Sequence, residues 1–290
     1  MLSDIEIEQL LRDGLPSNQN YGPRAVVGYC PGYEGTLPTL LLREGSSTKP
    51  TQELVVLGEL EYKVETLVVG SFRVLQPAPF GLVAPNMVYV RDPTKGTAGA
   101  IVRDPQFGDF LLSCDHVLLP DGLSGYPLLD GSNSRVGRVD GKYPLREKGP
   151  NRIDMGLAVY EKEQLTLAPY SDTIQIPSIG DIVSKFGAST GCTSGTTRCN
   201  CATVKVEYLN AKTFTFSNQL IIEDYNSKKF CDKGDSGSLV VRADRCPLTD
   251  SPAPSAVALL FARSDSNGFS VASPLGVALA EHSLELVPQP

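Results

Sequence analysis

The strongest constraint on the fold is a long succession of short apolar runs, rich in β-branched residues, separated by glycine, proline, asparagine and aspartate. The runs begin at "AVVGYC" and include "ATVKVEYL", "QLIIED" and "SAVALLF". Many short strands with frequent turn signals are typical of an all-β sandwich or barrel. Residues 4–13 instead predict an amphipathic helix, with Ser3 as N-cap and Gly14 as its stop. The final stretch, "SPLGVALAEHSLEL", predicts a closing helix.

A Pro/Gly-rich stretch, "LQPAPFGLVAP" (residues 75–85), separates an early group of predicted strands from the main series. A chain of 290 residues can form one large domain or two smaller ones. We therefore predict an N-terminal extension or small module over residues 1–80 and a larger domain over residues 81–290.

Charge and hydropathy exclude two classes of partner. The formal net charge is −7 and no lysine/arginine cluster is present, so we expect no nucleic-acid partner. No apolar run approaches the length of a membrane span, so we expect no membrane partner. The first residues are acidic and lack the basic head and apolar middle of a secretory signal, which predicts a cytoplasmic protein.

The seven cysteines are an odd number for a disulfide framework, and in a reducing compartment free thiols are expected. Cys192, Cys199 and Cys201 are clustered, and clustered thiols can bind zinc. Their C-x6-C-x-C spacing lacks the paired pattern of zinc sites, and no histidine is near them in the sequence. Three unrelated thiols in a hairpin are the preferred interpretation, and we predict no metal.

A Gly-Asp-Ser-Gly motif at residues 234–237 precedes an apolar run that predicts a buried strand. Glycines at such a position mark either a plain turn or a loop whose N–H groups converge on a reacting carbonyl. A serine hydroxyl needs a general base to act as a nucleophile, and imidazole suits that task because it titrates near neutral pH. The chain has only two histidines, so His116 and His282 are the only histidine candidates for the base of Ser236.

His116 is the preferred base because it lies where the apolar run "DFLLSC" ends and a loop begins. His282 lies in the predicted closing helix and is interpreted as a surface residue. Asp154, at the start of "DMGLAVY", can orient the histidine, with Asp130 and Asp140 as alternatives. A turn serine, a structural histidine and a strand-start aspartate are the plainer interpretations. The order His, Asp, Ser, with a fitting context at each residue, favours catalysis.

Three segments, "LLSCDHVL", "NRIDMGLAVY" and "KGDSGSLVV", resemble the catalytic blocks of the chymotrypsin-like (trypsin-fold) serine peptidases, in the order of that family. Two more, "VSKFGASTGCTSGTT" and "VALLFARSDSNGFSVASPLGVAL", resemble intracellular trypsin-like proteins related to the plant narrow-leaf protein and its bacterial relatives. The resemblance covers about residues 85–285. It implies a mainly β fold of two antiparallel six-stranded β-barrels, over about residues 85–175 and 176–275, followed by the C-terminal helix.

The resemblance also implies the roles of individual residues. Ser236 corresponds to the nucleophile, His116 to the general base and Asp154 to the orienting carboxylate. The backbone N–H groups of Gly234 and Ser236 would form the oxyanion hole. In secreted relatives the residue at Asp235 pairs with a new N-terminus made by zymogen cleavage. No activation site is evident here, so another group must hold Asp235.

The resemblance implies a position for the substrate pocket as well. In the digestive enzymes of the family, the residue six positions before the serine forms the base of the main specificity pocket, and here that residue is Phe230. The walls would be formed by Leu260, Phe261 and Ala262. An apolar pocket favours an apolar or small side chain before the scissile bond and disfavours Arg or Lys. Alternatively, Phe230 points into the barrel and Asp232 or Asp265 lines the pocket.

Together these features predict an intracellular serine endopeptidase that cleaves a protein or peptide substrate, a dedicated one by analogy with bacterial relatives. The reaction would use a Ser-His-Asp triad and an acyl-enzyme intermediate, with no cofactor. The alternative is a catalytically weak binding or scaffold protein that keeps the peptidase fold.

Overall fold

The computed structural model describes residues 2–15, 24–32, 36–43, 50–57, 60–75, 84–90, 95–119, 124–140, 145–147, 149–161, 165–208, 211–249 and 252–289. Strands dominate this part of the chain. None of its helices is both long enough and apolar enough to cross a membrane.

The helices are α1 (Asp4–Asp13), α2 (Asp115–Leu118) and α3 (Leu275–Glu281), with a 3-10 turn at Pro247–Thr249. The strands are β1 (Val26–Cys30), β2 (Thr39–Leu42), β3 (Thr51–Leu57), β4 (Leu60–Val68), β5 (Phe72–Val74), β6 (Met87–Tyr89), β7 (Gly96–Thr97), β8 (Ala100–Asp104), β9 (Gly108–Ser113), β10 (Pro127–Asp130), β11 (Arg135–Val139), β12 (Gly156–Tyr160), β13 (Ile182–Gly187), β14 (Gly191–Glu207), β15 (Thr213–Asp224), β16 (Leu239–Arg242), β17 (Ser255–Ser264), β18 (Phe269–Pro274) and β19 (Glu285–Val287).

The strands form two sheets. The first has the order β19-β8-β9-β12-β11-β10-β6-β7, and its pairings are antiparallel. In the second, β13-β16-β17-β18-β15-β14 closes on itself because β13 also pairs with β14, which makes a six-stranded barrel. The predicted mainly β fold, with two sheet or half-barrel units and a C-terminal helix, is confirmed. The predicted six strands are found in the closed barrel of the second sheet, whereas the first sheet has eight strands.

Alternating burial along the strands explains why the sheets pack together. In β14 the side chains of Ala202, Val204 and Val206 are buried, whereas the residues between them are partly exposed. The main apolar cluster takes side chains from both sheets, including Leu111 of β9 and Phe261 of β17. Burial of a large apolar side chain stabilises a fold by about 1.5–3 kcal/mol, so this shared cluster holds the two sheets together.

The N-terminal helix is confirmed, because α1 spans the predicted residues 4–13 and Ser3 forms a reciprocal capping box with Glu6. Its buried face packs in a separate apolar cluster with β1 to β4. The same N-terminal strands continue the second sheet, because β1 pairs with β14, with Gly28 opposite Val204. The boundary near residue 80 stays a prediction.

The C-terminal helix α3 ends at Glu281, earlier than the apolar pattern suggests. Ser283, at φ +54°, turns the chain, and β19 then pairs with β8 in the first sheet. Sheet pairing at this edge therefore replaces the last helical turn.

The expectation of free thiols is wrong at Cys192 and Cys246, which form a disulfide with their Cα atoms 5.1 Å apart. Pairing of β13 with both β14 and β16 brings the two segments together across 54 residues of sequence. The bond uses the sulfur of Cys192, so the zinc alternative loses one of its three thiols. The cytoplasmic location stays a prediction.

Candidate active site

His116 and Asp154 meet where β9 and β12 lie side by side. Ser113, at the end of β9, is opposite Gly156, at the start of β12, so the α2 turn lies next to the residues preceding β12. His116 Nδ1 is 2.5 Å from Asp154 Oδ2, and the backbone N–H of Asp115 donates to Asp154 Oδ1 at 2.8 Å. Asp154 is fully buried, so its carboxylate is held in one orientation towards the imidazole.

The alternative aspartates have other surroundings. Asp130 accepts hydrogen bonds from Ser132 and Ser134 in the turn after β10. Asp140 follows β11, where its backbone N–H donates to the Leu157 carbonyl. Of the three candidates, Asp154 is the one the structure brings to His116.

Ser236 lies in the loop before β16, with Oγ 2.7 Å from His116 Nε2. Both sheets hold this loop. The Thr97 N–H of β7 donates to the Ser236 carbonyl at 2.7 Å, and the Gly237 N–H donates to the Leu260 carbonyl of β17 at 2.8 Å. Hydroxyl, imidazole and carboxylate therefore form one continuous hydrogen-bonded chain at the junction of the sheets.

The backbone on either side of Ser236 needs glycine. Gly234 and Gly237 have φ values of +94° and +90°, in the region that side chains rarely adopt. A Cβ on Gly237 would also overlap the carbonyl oxygen of Thr97 and the hydroxyl of Ser113. Within the described part of the chain, the N–H groups of Gly234 and Ser236 donate no hydrogen bond. Two unused donors thus lie on the same loop as the serine hydroxyl.

The partner of Asp235 is Lys185 of β13, which takes the place of the new N-terminus of secreted relatives. Lys185 Nζ lies 3.1 Å from Asp235 Oδ2, and both side chains are fully buried. The carboxylate also accepts hydrogen bonds from the backbone N–H groups of Asp232, Ser189 and Thr190. Burial lowers the pKa of Lys185, and the neighbouring Asp235 carboxylate opposes that shift.

Tyr208, at the end of β14, is a further neighbour of Asp154. Its hydroxyl donates to Asp154 Oδ2 at 2.7 Å, and its ring packs edge-on against His116, with centroids 5.8 Å apart. Burial, followed by the Asp154 carboxylate, raises the pKa of Tyr208 well above its ordinary value. Tyr208 therefore stays a hydrogen-bond donor and helps to fix the carboxylate.

Asp115 places a second carboxyl group beside Asp154. Its Oδ1 atom is buried and has no hydrogen-bond partner among the described residues. Burial, and then the charge of Asp154, raises the pKa of Asp115 to about 8. The neutral form of Asp115 is thus favoured around neutral pH, which limits repulsion next to the histidine.

The predicted pocket residues fall into two groups. Phe230 and Leu260 are fully buried in one apolar cluster that also contains Val183, Val257 and, from the N-terminal part, Leu75. Phe261 and Ala262 belong instead to the main cluster between the sheets. A β-bulge between Leu260 and Ala262 changes the register of β17 against β18 there. Their roles in substrate binding stay predictions.

The charged alternatives for the pocket have partners of their own. Asp232 lies 3.0 Å from Lys229 Nζ, and Asp265 accepts a hydrogen bond from the Ser71 N–H at 3.0 Å.

Cys114, His116 and Asp154 offer ligand atoms within 4.8 Å of one another, which is a possible metal geometry. The Cys114 Sγ atom, however, lies 3.2 Å from the Leu260 carbonyl oxygen, a hydrogen bond that the thiol donates. Burial raises the pKa of the Cys114 thiol well above its ordinary value, and the protonated form is a poor metal ligand. The donor set fits a hydrogen-bonded core better than a metal centre.

Comparison with known proteins gives matches of structure only. No protein-family model and no curated protein matches the chain. A glutamic acid-specific serine protease, described as using a novel histidine triad in substrate binding, aligns with 71% of this chain and 100% of its own, at 16% identity and a TM-score of 0.50. Thermobifida fusca Protease A aligns with 72% of this chain and 99% of its own, at 21% identity and 0.48. Nocardiopsis protease aligns with 71% and 98%, at 15% identity and 0.49.

The chain therefore has the chymotrypsin-like double β-barrel fold, and its structural neighbours are serine proteases. At 16% identity the likeness concerns the fold alone. The finer resemblance to intracellular trypsin-like proteins stays a prediction.

Sequence reasoning missed Lys185 and Tyr208, although each had a weak signal. Lys185 interrupts the apolar run "DIVSKFG" two positions after the buried Val183, on the same face of the strand. Tyr208 follows Val204 and Val206 in a period of two, which predicts an inward side chain. Neither pattern says which residue the side chain meets.

The ion pair of Lys185 and Asp235 can be tested by removing the cation. Lys185→Met keeps most of the side-chain length and leaves a buried carboxylate without its counter-ion, which should cost about 3–5 kcal/mol of unfolding free energy. Lys229→Met is the matched control, because Lys229 also pairs with an aspartate but is 63% exposed, and should cost at most about 1 kcal/mol. Chemical denaturation measures both. Equal losses for the two variants would contradict the role of the buried pair.

The raised pKa of Asp115 predicts a pH-dependent effect on stability. Because the pKa is about 8 in the folded protein and 3.8 for an ordinary aspartate, the contribution of Asp115 is fully present below about pH 4 and is lost as the pH rises towards 8. Asp115→Asn removes this loss, so its melting temperature relative to the parent should increase from pH 4 to pH 8. The exposed Asp172→Asn should show no such trend. A constant difference for Asp115→Asn would refute the assignment.

Proposed function

We propose that the protein is a serine endopeptidase in which Ser236 is the nucleophile, His116 the general base and acid, and Asp154 the orienting carboxylate. One observation carries the proposal: the hydrogen-bonded chain from Ser236 Oγ to His116 Nε2 at 2.7 Å, and from His116 Nδ1 to Asp154 Oδ2 at 2.5 Å. This is the arrangement that serine acyl transfer requires, and a chymotrypsin-like fold of serine-protease neighbours supports it.

In the proposed reaction, Ser236 Oγ attacks the substrate carbonyl while His116 Nε2 accepts the hydroxyl proton. The imidazolium then returns that proton to the leaving amine, and water hydrolyses the ester on Ser236 by the same route. Asp154 stabilises the imidazolium through Nδ1. The hydrogen bonds that Asp154 accepts from Tyr208 and from the Asp115 N–H keep the carboxylate in place during both steps.

The oxyanion that forms in each step needs donors, and the unused N–H groups of Gly234 and Ser236 are proposed to supply them. The Lys185 and Asp235 pair holds this loop from within the protein. The donors are therefore arranged without the new N-terminus that zymogen cleavage creates in secreted relatives.

The substrate is proposed to be a protein or peptide with an apolar or small residue before the scissile bond, since Phe230 and Leu260 lie in a wholly apolar cluster. A dedicated substrate and an intracellular setting, both implied by the resemblance, remain part of the proposal.

One observation favours the second candidate, a binding or scaffold protein without useful turnover. Strand β5 of the same chain pairs with β17 beside Ser236. The edge of β17 that an extended peptide substrate would use is therefore already occupied.

A serine-directed fluorophosphonate separates the two candidates. Ser236→Ala and His116→Ala should each abolish labelling and lower kcat for peptide hydrolysis by about 10⁴- to 10⁶-fold, because base and nucleophile act as one unit. His282→Ala, at the C-terminal end of α3, should leave both unchanged. The assignment would be wrong if only His282→Ala lost labelling and turnover, or if Ser236→Ala kept full turnover.

Asp154→Asn keeps the size of the side chain and removes its charge, so kcat should fall by about 10⁴-fold with a modest change in KM. Tyr208→Phe removes only one of the hydrogen bonds to that carboxylate and should cost much less. The kinetics of the two variants on one peptide substrate measure the difference. A fully active Asp154→Asn would move the third role to another acid.

A further inference from the structure

Strand β5 extends the edge of β17 directly beside the candidate nucleophile. Its residues pair antiparallel with β17, with Phe72 opposite Ser264 and Val74 opposite Ala262. The pairing continues one residue further, where the Leu75 N–H donates to the Phe261 carbonyl at 3.0 Å. Residues 72–75, here called the cleft segment, thus form an extended peptide on this edge.

The last residue of the cleft segment reaches Ser236. The Leu75 carbonyl oxygen lies 3.4 Å from Ser236 Oγ, within reach of the hydroxyl. The Leu75 side chain is 3% exposed and lies in the apolar cluster that contains Phe230 and Leu260. Its main chain follows β17, its side chain fills an apolar pocket, and its carbonyl faces the serine.

These three features are among those that an endopeptidase needs from a bound substrate. The Leu75 carbonyl oxygen faces Ser236 Oγ and accepts no hydrogen bond from the N–H groups of Gly234 and Ser236, so it must turn towards those donors for the reaction. An extended peptide that adds to a sheet edge binds through main-chain hydrogen bonds and is selected by the pocket that receives its side chain. The reacting carbonyl must also lie beside the nucleophile. Another peptide cannot pair with the same edge of β17 while the cleft segment is there.

Further contacts hold the cleft segment in position. Phe72 and Arg73 also pair, in parallel, with Val206 and Glu207 of β14, and Arg73 Nε lies 3.3 Å from a carboxylate oxygen of Glu207. The segment is therefore fixed on both edges and is presented to Ser236 within one molecule.

We propose that the cleft segment is an internal substrate and that the protein cleaves its own chain after Leu75. The inference rests on the proposed serine endopeptidase function and names its first substrate. It also predicts that the pocket prefers an apolar side chain of the size of leucine before the scissile bond.

The step is an ordinary acyl transfer to water. Ser236 Oγ bonds to the Leu75 carbonyl carbon while its proton moves to His116 Nε2. The C–N bond from Leu75 to Gln76, the next residue in the sequence, breaks, and the proton passes to the nitrogen of Gln76. Water then attacks the ester with His116 as base and frees Leu75 as a carboxylate.

Cleavage should not separate the two products under native conditions. The N-terminal product keeps the pairing of β1 with β14 and of β5 with both β14 and β17. Its new carboxylate lies beside Ser236 and competes with other peptides, so the product acts as a reversible inhibitor that lowers, without abolishing, labelling and peptide hydrolysis by the parent. The cut is therefore visible only after denaturation.

Mass spectrometry of the denatured full-length protein tests the proposal. We expect fragments spanning residues 1–75 and 76–290 in the parent, formed at a rate independent of protein concentration, and an intact chain in Ser236→Ala. Leu75→Asp, which would bury a charge in an apolar pocket, should stay intact at this bond. Leu54→Asp is the matched control, because Leu54 is in the same N-terminal part but is 64% exposed, and should be cut like the parent.

Leu75→Ala removes apolar bulk without adding charge and should slow the cut by about 10- to 200-fold. This variant keeps the test valid if Leu75→Asp does not fold. An uncut parent, a cut only at another bond, or a cut that persists in Ser236→Ala would overturn the proposal.

Labelling with the fluorophosphonate distinguishes failure of the self-cleavage proposal from failure of the proposed endopeptidase function. If the parent stays uncut but Leu75→Asp or Leu75→Ala is labelled at Ser236 and cleaves peptides, the endopeptidase function stands and self-cleavage is refuted. If the parent is uncut and no form of the protein is labelled or hydrolyses peptides, the proposed function fails as well.

Discussion

The buried ion pair between Lys185 and Asp235 is the interaction on which the geometry of the site depends. A buried carboxylate is costly unless it is paired and hydrogen-bonded, and Asp235 receives a cation and several backbone N–H groups. These bonds hold the loop on which Gly234 adopts its positive φ. Among the described residues, the N–H groups of Gly234 and Ser236 have no hydrogen-bond partner, and this supports the proposal that they bind the oxyanion.

The candidate site lies where the two sheets meet. His116 and Asp154 come from adjacent strand ends in the first sheet, whereas Ser236 comes from a loop that enters the second. Hydrogen bonds from Thr97 and to Leu260 attach the serine loop to both sheets. Because the shared apolar cluster holds the sheets together, it also sets the distance between Ser236 Oγ and His116 Nε2. A change in packing between the sheets would therefore alter the length of the hydrogen bond between Ser236 and His116.

The N-terminal part pairs directly with strands of the second sheet, next to the candidate site. Strand β1 continues the second sheet, and β5 pairs with β17 and places Leu75 in the apolar cluster that contains Phe230 and Leu260. An unpaired strand edge is a binding surface for any extended peptide. Here β5 of the same chain pairs with that edge of β17, beside Ser236.

Local patterns in the sequence determined the all-β class, the capped first helix, and the three motifs around His116, Asp154 and Ser236, because turn chemistry, capping and residue alternation act over a few neighbouring residues. The resemblance to the chymotrypsin-like peptidases implied in addition that Asp235 needs a partner. Only the tertiary structure decided that the partner is Lys185, that Tyr208 meets Asp154, that Cys192 bonds to Cys246 and that Leu75 faces Ser236. Each of these contacts joins residues at least 50 positions apart. Such contacts are set by strand register, and since a slip of one residue turns every side chain of a strand to the opposite face, no local pattern specifies them.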